Sequence, residues 1–95
     1  NYKLLEQIIN IDSPTGYCNK VIKYIEEVVS FLGYEYSINQ KGNLIVEVKG
    51  NNEYTIGLSA HVDTLGLMVR SINGDGTLKF STLGGPLLNT YNAEY

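Results

Sequence analysis

Val21-Ile22-Lys23-Tyr24-Ile25-Glu26-Glu27-Val28-Val29-Ser30-Phe31-Leu32-Gly33-Tyr34-Glu35-Tyr36-Ser37-Ile38 changes rhythm at its glycine, and that change sets the fold class. Before Gly33, residues Val21, Ile25, Val28 and Leu32 recur at i, i+4, i+7 and i+11, with Ile22 and Val29 beside them. This is one face of a helix, and Lys20, Lys23, Glu26 and Glu27 take the other face. The spacing predicts a helix over about 17–32, ended by Gly33 in the left-handed conformation. After the glycine, Tyr34, Tyr36 and Ile38 alternate with Glu35 and Ser37, the two-residue repeat of a strand covered on one side.

Working outward, Leu4, Leu5, Ile8 and Ile9 form the stripe of a short amphipathic helix within 2–10. Asp12-Ser13-Pro14-Thr15-Gly16 breaks it, with proline and glycine as the punctuation. On the other side, Lys41-Gly42-Asn43 reads as a turn and Leu44 to Lys49 as a second strand. Gly50-Asn51-Asn52 turns the chain into Tyr54 to Ala60, expected to be an interior strand. Gly66 to Ile72 is a further strand, Asn73-Gly74-Asp75-Gly76 a hairpin turn, and Thr77 to Ser81 the return strand. Thr82-Leu83-Gly84-Gly85-Pro86 reads as a loop, and residues 87–95 carry no assignment. Two helices and about five strands make an α/β fold, with a helix packed on a mixed, largely hairpin-connected sheet.

The expected interior strand leads to the chain's only histidine, in Ile56-Gly57-Leu58-Ser59-Ala60-His61-Val62-Asp63-Thr64-Leu65-Gly66. In extended backbone, residues i and i+2 face the same way, so His61 and Asp63 can lie side by side. A carboxylate on one imidazole nitrogen fixes the tautomer and raises the basicity of the other, which suits a metal ligand. The carboxyl end of a strand is also where open α/β sheets place ligands. Ala60 and Gly66 leave room for other segments to approach. The alternative is a partly buried histidine satisfied by a nearby acceptor, with Asp63 capping a turn. One imidazole cannot hold a catalytic zinc, which needs about three protein ligands.

Other candidates have simpler accounts. Cys18, in the first turn of the long helix, could pair with His61 as a nucleophile, but the sequence offers no orienting group or oxyanion hole. A packed or surface cysteine suffices. Glu26 and Glu27 are adjacent on a polar helix face, and Glu47 alternates away from Val46 and Val48. With Glu53, they read as solvated surface rather than as the carboxylate pair of a sugar hydrolase. Gly84-Gly85, Gly74 and Gly76 lack the strand–glycine–helix setting of a phosphate loop.

The chain has 95 residues, of which 43% are hydrophobic and 18% charged, which bounds it to at most one small domain. Its net charge of −3, with basic residues scattered singly, gives no nucleic-acid footprint. No apolar run is long enough to span a membrane, and no basic and apolar leader opens the sequence. One cysteine allows no internal disulfide, so the expected compartment is the cytoplasm. The chain opens in a helical pattern and stops without a terminal element, as a piece of a longer protein would.

Ser13-Pro14-Thr15-Gly16-Tyr17 before a helix, Lys41-Gly42-Asn43-Leu44 opening a strand, Ser59-Ala60-His61-Val62-Asp63-Thr64-Leu65-Gly66 and Leu83-Gly84-Gly85 follow one another in order. This set resembles the N-terminal part of the tetrahedral (TET) aminopeptidases, the glutamyl/lysyl aminopeptidase-like metallopeptidases, over nearly the whole chain. The resemblance implies a zinc-aminopeptidase-like catalytic domain whose N-terminal portion is residues 1–74, with 75–95 starting an inserted β-rich domain. It implies two divalent ions (zinc or cobalt), a peptide substrate shortened from its N-terminus, and a homo-oligomer, commonly a dodecamer. His61 would ligate one metal and Asp63 would orient it. Many members carry glutamate where this chain has Thr64. The remaining ligands and the general base have no counterpart among these residues, so the chain's partner would be the remainder of its own polypeptide. Two alternatives stand beside this reading: a non-catalytic subdomain, inert by itself, and a sugar hydrolase.

Overall fold

The computed structural model describes residues 2–87 and 89. Helices α1 (Tyr2–Ile9) and α2 (Asn19–Phe31) come first. Two hairpins follow, β1 (Tyr36–Ile38) with β2 (Leu44–Val46), and β3 (Gly66–Ile72) with β4 (Leu78–Leu83).

α1 packs on α2, and the Tyr24 hydroxyl donates to Gln7 Oε1 at 3.0 Å between them. α2 ends as the sequence predicts. Gly33 has φ +81°, its N–H donates to Ser30 O, and the Tyr34 N–H reaches back to Val29 O. These two bonds satisfy carbonyls that the last helical turn would leave unpaired.

β1 and β2 are antiparallel, with Tyr36 opposite Val46 and Ile38 opposite Leu44. Asn39 closes their turn by accepting the Lys41 and Asn43 N–H groups on Oδ1, both at 3.0 Å. β3 and β4 are also antiparallel, with a bulge between Val69 and Ser71. Their turn is held by Asp75, whose Oδ1 accepts the Thr77 hydroxyl at 2.7 Å and the Thr77 N–H at 3.0 Å.

Two expectations are corrected. The strands do not form one mixed sheet: among the described residues they make two separate antiparallel pairs. Tyr54 to Ala60 is not a strand. Its apolar side chains are almost fully exposed, with Leu58 at 96%. A strand exists only through a ladder of hydrogen bonds to a neighbour, and no described residue pairs with this segment. Its alternation encodes a face to be covered and does not supply the cover. At the other end, β4 runs on to Leu83, through part of the segment read as a loop.

Burial is concentrated at one place. Among the described residues the buried hydrophobic side chain is Val21, in the first turn of α2, and the buried polar one is Ser13, in the loop before it. The radius of gyration is 18.0 Å, against about 13 Å for a compact domain near this length. No described helix is long and apolar enough to cross a membrane. Residues 88 and 90–95, which the 75–95 division includes, lie outside the described residues.

Candidate metal centre

The loop before α2 and the segment after residue 60 are stitched together. Pro14 and Thr64 form a parallel bridge. The Thr64 N–H donates to Ser13 O at 2.8 Å, and the Thr15 N–H donates to Thr64 O at 3.1 Å. The buried Ser13 hydroxyl adds a bond to Val62 O at 2.8 Å. The loop keeps its shape because Pro14 has a fixed φ and the Tyr17 N–H closes a turn onto Pro14 O at 2.8 Å. Gly16, third residue of that turn, has φ +88°, the positive value a type II turn requires there.

This clamp holds the stretch carrying His61 and Asp63. Asp63 Oδ1 lies 3.2 Å from His61 Nδ1, and the Asp63 carbonyl oxygen lies 3.1 Å from the same nitrogen. Both oxygens are acceptors, so in the neutral ring Nδ1 carries the proton and Nε2 the lone pair. The imidazole side chain is 86% exposed and the carboxylate 40%. The other carboxylate oxygen is also engaged, accepting the Thr15 hydroxyl at 2.8 Å. The Thr15 bond is the main reason that the Asp63 carboxyl titrates below its ordinary value; partial desolvation opposes it, and His61 adds to it.

The structure brings His61 and Asp63 side by side, as their spacing suggests, in an irregular stretch rather than at the end of a strand. Among the described residues no third histidine, cysteine or carboxylate joins them to make a metal-binding group. The thiol of Cys18 faces the carbonyl oxygens of Ser13 and Pro14, at 3.8 and 3.9 Å, and no described hydrogen bond links it to His61. Glu27, Glu47 and Glu53 are exposed, and Glu26 half-buried.

The glycines gain a more definite role. A Cβ on Gly66 would lie 2.8 Å from Pro14 Cβ, so the small residue admits the proline loop. A Cβ on Gly84 would lie 2.8 Å from Leu65 Cδ2 and 3.5 Å from Thr15 Oγ1. Three motif segments, 13–16, 61–66 and 83–84, thus converge around one carboxylate–imidazole pair. Reading the sequence missed Ser13 and Thr15 as parts of this site. The available signal is a hydroxyl residue on either side of a proline, in a stretch that breaks the first helix and opens the motif set, with nothing local to tie either hydroxyl to Asp63.

Comparison with known proteins gives a consistent set. A model of the M42 glutamyl aminopeptidase family matches residues 42–95. A Bacillus subtilis protein named "Putative aminopeptidase YhfE" is 40% identical over 94 residues, covering 98% of this chain and 27% of the relative. The lysyl aminopeptidase of Pyrococcus furiosus is 30% identical over 95 residues, covering 99% of the chain and 27% of the relative. The glutamyl aminopeptidase of Lactococcus lactis is 31% identical over 83 residues, covering 85% and 23%. The chain spans about a quarter of the length of these relatives.

Proposed function

Because this chain belongs to the M42 glutamyl aminopeptidase family, we propose that it supplies one metal-ligand histidine to a metal-dependent aminopeptidase that removes N-terminal residues from short peptides. The observation that carries this reading is the imidazole itself. Asp63 occupies Nδ1 while the exposed ring leaves Nε2 without a described partner.

The donor chemistry fits a divalent ion. A neutral imidazole with a free nitrogen suits zinc or cobalt, and a carboxylate on the opposite nitrogen is the usual support. Two such ions, when bound, would polarise a peptide carbonyl and acidify a water molecule. The work of this chain is to present one nitrogen in a fixed direction. Asp63 holds the Nδ1 proton, and the bonds from Ser13 and Thr15 keep the backbone around Asp63 in place. The other ligands and the general base would come from the remainder of the same polypeptide.

In this reading residues 1–74 belong to the catalytic domain and 75–95 begin an inserted β-rich domain, rooted in the β3–β4 hairpin. A cytoplasmic homo-oligomer, a dodecamer by family resemblance, completes the proposal. The 95 residues alone would be inactive, since their apolar faces are mostly uncovered and no further ligand joins the pair among the described residues. A sugar hydrolase has no observation in its favour, whereas the relatives above are named aminopeptidases.

The test uses the full-length protein with aminoacyl anilides and short peptides. Activity should disappear with a chelator, return with zinc or cobalt, and be absent in His61→Ala under all metal conditions. Undiminished activity of His61→Ala overturns the proposal.

A further inference from the structure

We infer that Thr15 is a positioning residue for the metal centre, its hydroxyl fixing the Asp63 carboxylate in the orientation that holds His61. The inference rests on the reading of His61 as a metal ligand and extends it to a residue 48 positions before Asp63 in sequence.

An aspartate two residues from a histidine does not by itself stay on it. The Asp63 side chain is 40% exposed, and a carboxylate bonded through one oxygen can rotate into water. Here both oxygens are used, Oδ1 on His61 and Oδ2 on Thr15. Two anchors on opposite oxygens fix the plane of the carboxylate, and a fixed plane fixes the direction of the imidazole.

Thr15 is suited to this because it is itself immobilised. Its N–H is bonded to Thr64 O, its β-branch restricts χ1, and its loop is tied down by the buried Ser13 hydroxyl. The hydroxyl has one proton to give. The carboxylate oxygen is 2.8 Å away and the competing acceptor, Thr64 O, is 3.4 Å away, so the charged group takes it. The site of Gly84 lies against the same hydroxyl, where a Cβ would approach Oγ1 to 3.5 Å. Thr15 is exposed, so little burial depends on its side chain, and removing its oxygen acts on the metal centre more than on folding.

The experiment is a Co2+ titration of the metal-free full-length protein, followed by visible absorption, with Zn2+ competition. His61→Ala identifies the site that contains this chain's ligand. Thr15→Val, which keeps the shape and removes the hydroxyl, should weaken that site about 10-fold, the lower end of the range for residues that support a ligand. Thr15→Ser should retain wild-type affinity. In an Asp63→Ala background, Thr15→Val should cost nothing further, since the hydroxyl acts through that carboxylate. If Thr15→Val does not fold, Thr15→Ala carries the same expectation. Wild-type affinity in Thr15→Val overturns the inference alone, as does an equal loss in Thr15→Ser or an equal loss with Asp63 already removed. Undiminished affinity in His61→Ala removes the premise, and the inference with it.

Discussion

Replacing Gly66 by alanine is the sharpest mechanical test of the clamp. The added Cβ would fall 2.8 Å from Pro14 Cβ, about 0.6 Å short of the 3.4 Å at which ordinary contact begins. Neither side yields easily. Pro14 has a locked φ, and it is flanked by the Thr64 N–H bond to Ser13 O at 2.8 Å and the Thr15 N–H bond to Thr64 O at 3.1 Å. Moving the proline loop and β3 apart by the missing distance would stretch both bonds beyond the usual hydrogen-bonding range. Overpacking of this kind costs about 1–3 kcal/mol. Gly74 supplies the control: no atom lies within 4 Å of its added Cβ and its φ is not in the positive range. Alanine there should be neutral or stabilise by about 0.4–1 kcal/mol, through lost freedom in the unfolded chain. The assay is urea unfolding of metal-free full-length protein, with amide exchange read at Thr15 and Thr64. Gly66→Ala should lower stability and speed exchange at those two amides, and should weaken zinc binding. If it is as stable as Gly74→Ala, with both amides still protected, the clamp does not hold the site.

Two further predictions concern carboxylates. Asp63→Asn should weaken zinc affinity by about 10- to 100-fold, measured against a competing chelator; unchanged affinity would show that the imidazole needs no such support. Asp75 is held below its ordinary value of 3.8 by the Thr77 hydroxyl first and the Thr77 amide second. Because folding lowers this pKa, the turn's stabilisation is complete above the ordinary value and is lost as pH falls through the lower folded one. NMR shifts of Gly76 and Thr77 should follow that loss at acid pH, and Asp75→Asn should remove the dependence.

The elements defined by neighbours in sequence were legible. The stripe from Val21 to Leu32 gave α2, Gly33 took the positive φ expected of a helix end, and Asn73-Gly74-Asp75-Gly76 turned the hairpin. What failed depends on residues far away. Tyr54 to Ala60 has the alternation of a strand, but pairing is a property of two segments and no described residue pairs with this one. The adjacency of His61 and Asp63 was readable because it needs only two residues of separation. The Thr15 contact was not, because nothing local ties a hydroxyl before α2 to a carboxylate 48 residues later. Gly66 and Gly84 were visible as small residues, but which atoms crowd them is known only from the folded chain.

The bridge between Pro14 and Thr64 also has a bearing on the order of events during folding. Joining two points so far apart encloses a large ring of polypeptide, and the entropy lost in closing it grows with the logarithm of its length. Helices and hairpins, which close small rings, can form earlier. By this argument the clamp around His61 and Asp63 is expected to close after them. On the proposed reading, a cation bound through His61 would act as a latch on the closed ring, favouring the closed form by mass action.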